Sequence, residues 1–152
     1  MTLDPYRPAD DEARALAADL LQTARHAALA VTLDDGAPMV TRVAFGLDPR
    51  GVPVTLISAL SQHTNALQQR PVASLLVGEP AATGDPLTHP RLTLQVLARF
   101  FPHDDPDRPA LRRKWLADHP KSKLYIDFAD FSFVRLSARS AILNGGFGKA
   151  YR

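Results

Sequence analysis

Four residues within seven positions carry most of the chemistry this chain can offer. Between the apolar runs 52–57 and 72–77 lie Ser58, Ser61, His63 and Thr64. Three hydroxyls and an imidazole, beside the free backbone N–H groups of a helix start, outline an anion cradle of a size that suits a phosphate. The plainer reading is a helix-capping serine followed by a solvated polar turn. Arg42 adds a cation. The run 39–45 places Met39, Thr41, Val43 and Phe45 on one face of a strand and leaves Val40, Arg42 and Ala44 on the other. A guanidinium fork matches a pair of phosphate oxygens, and a strand holds it more rigidly than a loop does. The same arginine alone also reads as a charge guarding a sheet edge. Gln95 sits inside an apolar alternation, where an amide can donate and accept together, as recognition of a heterocycle edge requires; the alternative is an exposed residue on a wet face.

Other chemistries are weak or excluded. The histidines at 26, 63, 89, 103 and 119 include no pair at i, i+2 and none at i, i+4 around an acid, so no protein-made metal site is expected. The absence of cysteine excludes disulfides, thiolate metal centres and a cysteine nucleophile. Gly145, Gly146 and Gly148 lack the strand and long helix that frame a dinucleotide fingerprint, and read as a turn that lets backbone approach something closely.

The elements that must position these groups follow from periodicity. Apolar residues at three- and four-residue spacing, with Asp10 and Asp11 at the start, predict an amphipathic helix from Pro8 to Ala28. Alternation then predicts a strand at 29–33, the turn Asp34-Asp35-Gly36, a strand from Ala37 to Leu47, the turn Asp48-Pro49-Arg50-Gly51 and a strand from Val52 to Ser58. One or two helical turns over Ser61–Gln69, a buried strand at Val72–Val77, a Pro- and Gly-rich surface loop over 78–90 and a half-buried strand at Arg91–Phe101 come next. Helical composition at Pro109–Ala117, a short helix or turn near Ser122–Phe128, and strands at Phe131–Leu136 and Arg139–Leu143 complete the reading. Six or seven short strands with tight connections specify an antiparallel barrel, mainly β with α additions.

The 152 residues, 45% apolar, suit one domain over 1–152. A net charge of +2 gives no ground for a nucleic-acid partner, and no apolar run approaches the roughly 18 residues of a membrane span. Charged residues throughout the first thirty positions leave no uninterrupted apolar centre for a signal peptide, so a cytoplasmic protein is expected.

Taken in order, Thr41-Arg42-Val43-Ala44-Phe45, the run Ile57 to Asn65, Arg70 to Val77, Asp85-Pro86-Leu87 with Arg91 to Gln95, and Gly145 to Ala150 resemble the pyridoxamine 5'-phosphate oxidase-related FMN-binding split-barrel family, in its haem-utilisation-like branch. The resemblance covers nearly the whole chain. It implies an FMN-binding split β-barrel in which Arg42, Ser61, His63 and Thr64 hold the FMN phosphate. Val43, Ala44 and Ser58 then lie near the ribityl chain and ring, and Gln95 addresses ring or phosphate from a neighbouring strand. It further implies a homodimer with cofactor sites at the interface and an oxidoreductase acting on a small substrate, the alternative being a module that binds flavin or haem without turnover. Ser61-Gln62-His63 stands where pyridoxamine phosphate oxidases have serine-arginine-lysine, and their C-terminal arginine motif has no counterpart, so oxidation of vitamin B6 is not expected.

Overall fold

The computed structural model describes residues 4–146 and 150–152. Phe147, Gly148 and Lys149 of the closing glycine motif lie outside the described residues. Helix α1 (Asp11–Thr23) begins as its sequence dictates, the Asp10 carboxylate accepting the Ala13 N–H at 2.7 Å. It ends five residues before the expected Ala28. Ala24 is already extended, and His26 opens strand β1 (His26–Thr32). Alanines at 24, 27 and 28 suit either period, and pairing with β2 (Pro38–Ala44), from His26 opposite Ala44 to Thr32 opposite Pro38, decides for the strand.

The run expected from Ala37 to Leu47 breaks at Phe45, after which β3 (Gly46–Leu47) pairs with β4 (Pro53–Ser58). Phe45 donates its N–H to the Arg25 carbonyl, and its own carbonyl accepts from His119 Nε2 at 2.8 Å. Gly46 presses against Trp115, whose ring would stand 3.1 Å from a Cβ at that position, so only glycine passes here without displacing the indole.

Helix α2 (Gln62–Gln69), β5 (Val72–Val77), β6 (Arg91–Phe100), α3 (Arg108–Asp118), β7 (Phe131–Asn144) and β8 (Ala150–Tyr151) follow. The two strands expected after Phe131 are one, of 14 residues, with a register shift in place of the expected break. Six strands of six residues or more carry the sheet, in the order β2-β1-β5-β6-β7-β4-β3 with β8 on β7, and every pairing of these strands is antiparallel. The two ends of that path, β2 and β3, are consecutive in the chain. The sheet therefore rolls into a barrel, split between β2 and β4, where Thr55 Oγ1 donates to the Ala44 carbonyl at 2.6 Å.

Alternate residues of β1, β5 and β6 fill the interior, among them Leu29, Val31, Leu75, Leu92 and Val96. A second cluster lies under α3, where Trp115 packs on Phe133 and donates its indole N–H to Ser122 Oγ at 3.1 Å. Burial of an aromatic of this size is worth roughly 3 kcal/mol, enough to hold a short helix of modest amphipathicity in place. Among the described residues no helix is long and apolar enough to cross a membrane.

Candidate functional site

The cradle is built where β4 runs out. Ala59 donates its N–H to the Asp130 carbonyl. Ser58 Oγ donates to Asp130 Oδ2 at 3.2 Å and accepts the Leu60 N–H at 3.1 Å. The Ser58 carbonyl takes the Ser61 N–H at 3.1 Å and also the Thr64 hydroxyl. Thr64 is buried, so its hydroxyl fastens the start of α2 to the end of β4. Two of the three hydroxyls that the sequence offers as ligands are therefore engaged in holding the loop.

Ser61 is different. It occupies the N-cap of α2 with extended backbone, φ −82° and ψ 139°, yet its side chain makes no capping bond. Its Oγ and the N–H groups of Gln62 and His63 are available to an acceptor, while the Thr64 N–H is given to the Ser61 carbonyl at 3.1 Å.

His63 spans the split. Its Nδ1 lies 3.3 Å from Thr41 Oγ1 on β2, so α2 is tied to β2 through His63 and to β4 through Thr64. The other ring nitrogen, Nε2, is buried and has no partner among the described residues. Burial lowers the imidazole pKa below its ordinary value, so the ring is neutral at pH 7. In the tautomer in which the Thr41 hydroxyl donates to Nδ1 the proton sits on Nε2, and that unpartnered atom is then a donor; in the other tautomer Nδ1 donates to Thr41 and Nε2 is an acceptor. A buried donor without an acceptor is unfavourable by about 1–3 kcal/mol, and an anionic ligand is one way to satisfy it.

Arg42 follows Thr41 and points to the opposite, outer face, as the alternation requires. It is exposed and, among the described residues, forms no ion pair. Val43 is turned into the core, so only its backbone can meet a ligand, while half-buried Ala44 ends the strand beside the split. The Ser61 hydroxyl, the His63 imidazole and the N–H groups of Gln62 and His63 lie together at the start of α2 and suit a phosphate or another compact anion, whereas Arg42 stands on the opposite face of β2 and joins them only by reaching round its edge.

Gln95 stands apart. It lies on the outer face of β6, three strands from β2 and roughly 14 Å across the sheet at ordinary strand spacing. The strand neighbouring β2 is β1, so within one chain Gln95 does not reach the cradle. Between Arg42 and Gln95 the outer face is apolar, with Val40, Val72, Leu76 and Leu97 from 42% to 64% exposed. Sequence reasoning missed Thr41 as the partner of His63 and Asp130 as the lock of the loop. Thr41 was legible as an inward polar residue on its strand, whereas the Ser58 to Asp130 bond joins residues 72 apart and has no local signal.

No protein-family model matches the chain. It is 33% identical over 117 residues to the chloroplast heme oxygenase HOZ of Arabidopsis thaliana, a match covering 77% of this chain and 35% of that protein. The chain thus spans about a third of the length of this curated relative. A solved heme-binding protein from Mycobacterium smegmatis is 30% identical with a TM-score of 0.82, over 95% of this chain and 57% of that one. Another solved chain is 43% identical with a TM-score of 0.84, over 95% and 94% of the two chains. More distant structures share the fold alone, among them HutZ of Vibrio cholerae and a pyridoxamine 5'-phosphate oxidase-like protein of Listeria innocua. The chain has the split-barrel fold of the pyridoxamine 5'-phosphate oxidase-like proteins. Of the relatives named above at 30% identity or more, one is called a heme oxygenase and the other a heme-binding protein.

Proposed function

We propose that this protein binds FMN noncovalently, with the phosphate held by Arg42, Ser61 Oγ, His63 Nε2 and the first turn of α2. The reading rests on one observation above all, the buried and unpartnered Nε2 of His63 beside a serine whose hydroxyl is free. The ribityl chain and ring then run along the free edge of β2, past the backbone of Val43 and the side chain of Ala44. Ser58 and Thr64 serve by shaping the loop. Bound flavin supplies electron or hydride transfer, and the residues named here bind it, orient it and exclude water. The substrate is a small molecule and the setting cytoplasmic.

The reading includes a homodimer packed through the outer face, where Val40, Val72, Leu76 and Leu97 expose apolar side chains that a second copy would cover. Packing through that face brings Gln95 of a second copy toward the ring bound at the first. FMN and dimer are then linked, each tightening the other by mass action. Sedimentation at graded protein concentration, with and without FMN, tests this together with the absorption spectrum of the purified protein. The expected result is a flavin spectrum and a dimer that tightens with FMN. Protein that takes up no FMN overturns the reading, and a monomeric FMN complex at all concentrations removes the interface site.

A second reading is haem binding without turnover. It is supported by the relative named as a heme-binding protein and by the exposed apolar side chains of the outer face, while the relative named as a heme oxygenase favours haem as the ligand without bearing on turnover. A Soret band on addition of haem, with no flavin uptake, distinguishes it.

A further inference from the structure

An open groove of about 490 Å³ crosses the outer face from the start of β2 to β7, and its lining includes none of the cradle residues. Ala30, Pro38 and Val72 give its floor an apolar strip, flanked by the hydroxyl residues Thr32 and Ser74. One wall carries Gln95 and Arg139. The ladder between β6 and β7 slips at this point. Gln95 faces Ser140 and Val96 faces Ala138, so Arg139 is the extra residue of a bulge with no partner across the ladder. Bulges re-aim side chains, and this one sets an arginine beside Gln95. Ser140 Oγ donates to Gln95 Oε1 at 2.9 Å, which occupies the amide's acceptor and leaves its NH2 as a donor. Ser74, opposite Gln95 on β5, adds a hydroxyl. None of the residues lining the groove is acidic, and among the described residues Arg139 forms no ion pair.

We infer that this groove is a binding site for an organic carboxylate, anchored by Arg139 and the Gln95 amide. One guanidinium fork and one amide NH2 match the two oxygens of a carboxylate, and no helix start lines this groove to supply the further N–H donors that a phosphate takes. The apolar floor takes the body of the ligand, so the class is a carboxylate on a flat apolar framework. The inference does not rest on FMN binding, and a second copy laid over Val40 and Leu97 would roof the groove. Such a carboxylate can belong to a free aromatic acid or to the propionate arm of a porphyrin.

The test uses benzoate, iron protoporphyrin IX and its dimethyl ester as probes, followed by calorimetry and by the Soret band. Wild type should bind protoporphyrin IX about tenfold more tightly than the ester, the scale of one charge-assisted contact at an exposed site. Arg139→Met should remove that preference, Arg139→Lys should keep part of it, and Lys123→Met, at an exposed cation outside the groove, should leave it intact. Saturable benzoate binding that Arg139→Met abolishes identifies a free acid as a ligand, and an ester preference without benzoate binding identifies the porphyrin arm. The proposal is overturned if wild type shows neither behaviour or if Arg139→Met retains it. It is equally overturned if Arg139→Met weakens the dimer while the carboxylate preference persists, which would make Arg139 a subunit contact. FMN titration of the same proteins reports separately on the flavin reading.

Discussion

Replacing Arg42 by alanine is the sharpest test of the phosphate cradle. A charge-assisted hydrogen bond to phosphate is worth roughly 1.5–3 kcal/mol. Arg42 is exposed on the outer face of β2, where solvent screening weakens it, so the lower end applies. A loss of about 1.5 kcal/mol corresponds to roughly a tenfold rise in the FMN dissociation constant. The fold should not suffer, because among the described residues the side chain has no ion-pair partner. Riboflavin has the same ring and ribityl chain without the phosphate. It should bind wild type more weakly than FMN and bind Arg42→Ala as it binds wild type. Quenching of flavin fluorescence during titration measures all four constants, and raising the salt concentration should narrow the FMN difference. Equal losses for FMN and riboflavin, or equal affinity of wild type for the two, would refute the placement of the phosphate.

Acidification should act on stability and on binding with opposite signs. Burial lowers the folded-state pKa of both His63 and His119, so below about pH 6.5 the unfolded chain takes up protons before the folded one. Stability is therefore fully present above pH 6.5 and declines as the pH falls toward the folded values. Thermal melts between pH 8 and 5 should show this, and the decline should be shallower in His63→Gln. FMN affinity should instead rise toward pH 6, because a phosphate beside Nε2 favours the imidazolium; a flat binding profile would count against His63 as a ligand. For the loop lock, Ser58→Ala and Asp130→Ala should each lower stability by about 1 kcal/mol, and the double variant by little more than either. Asp130→Asn, whose amide oxygen still accepts from Ser58, should retain FMN binding in a titration where Asp130→Ala weakens it.

Period and turn chemistry, both local, determined a good part of this protein from sequence alone. Alternation between buried and wet faces is set within each strand, so Val43 inward and Arg42 outward were legible before any partner strand was known. Gly36 and Gly51, with φ of +85° and +87°, close the two tight turns that Asp-Gly and Arg-Gly announced. The polar helix after β4, with Ser61 at its cap, was legible for the same reason. The tertiary structure decided wherever a residue has two acceptable local states or where a bond joins distant positions. The alanines after Thr23 became strand because β2 was there to pair with them. Phe45 broke its strand because Arg25 and His119 hold its backbone, and β7 continued through Ala138 because a bulge opposite β6 absorbs the irregularity. Strand order separated Gln95 from the cradle, and Asp130 engaged the hydroxyl of Ser58 from 72 residues away. Side-chain type sets which bonds a residue can make, but which of them are already made, and hence that Ser61 and His63 remain free, depends on the packing of the whole barrel.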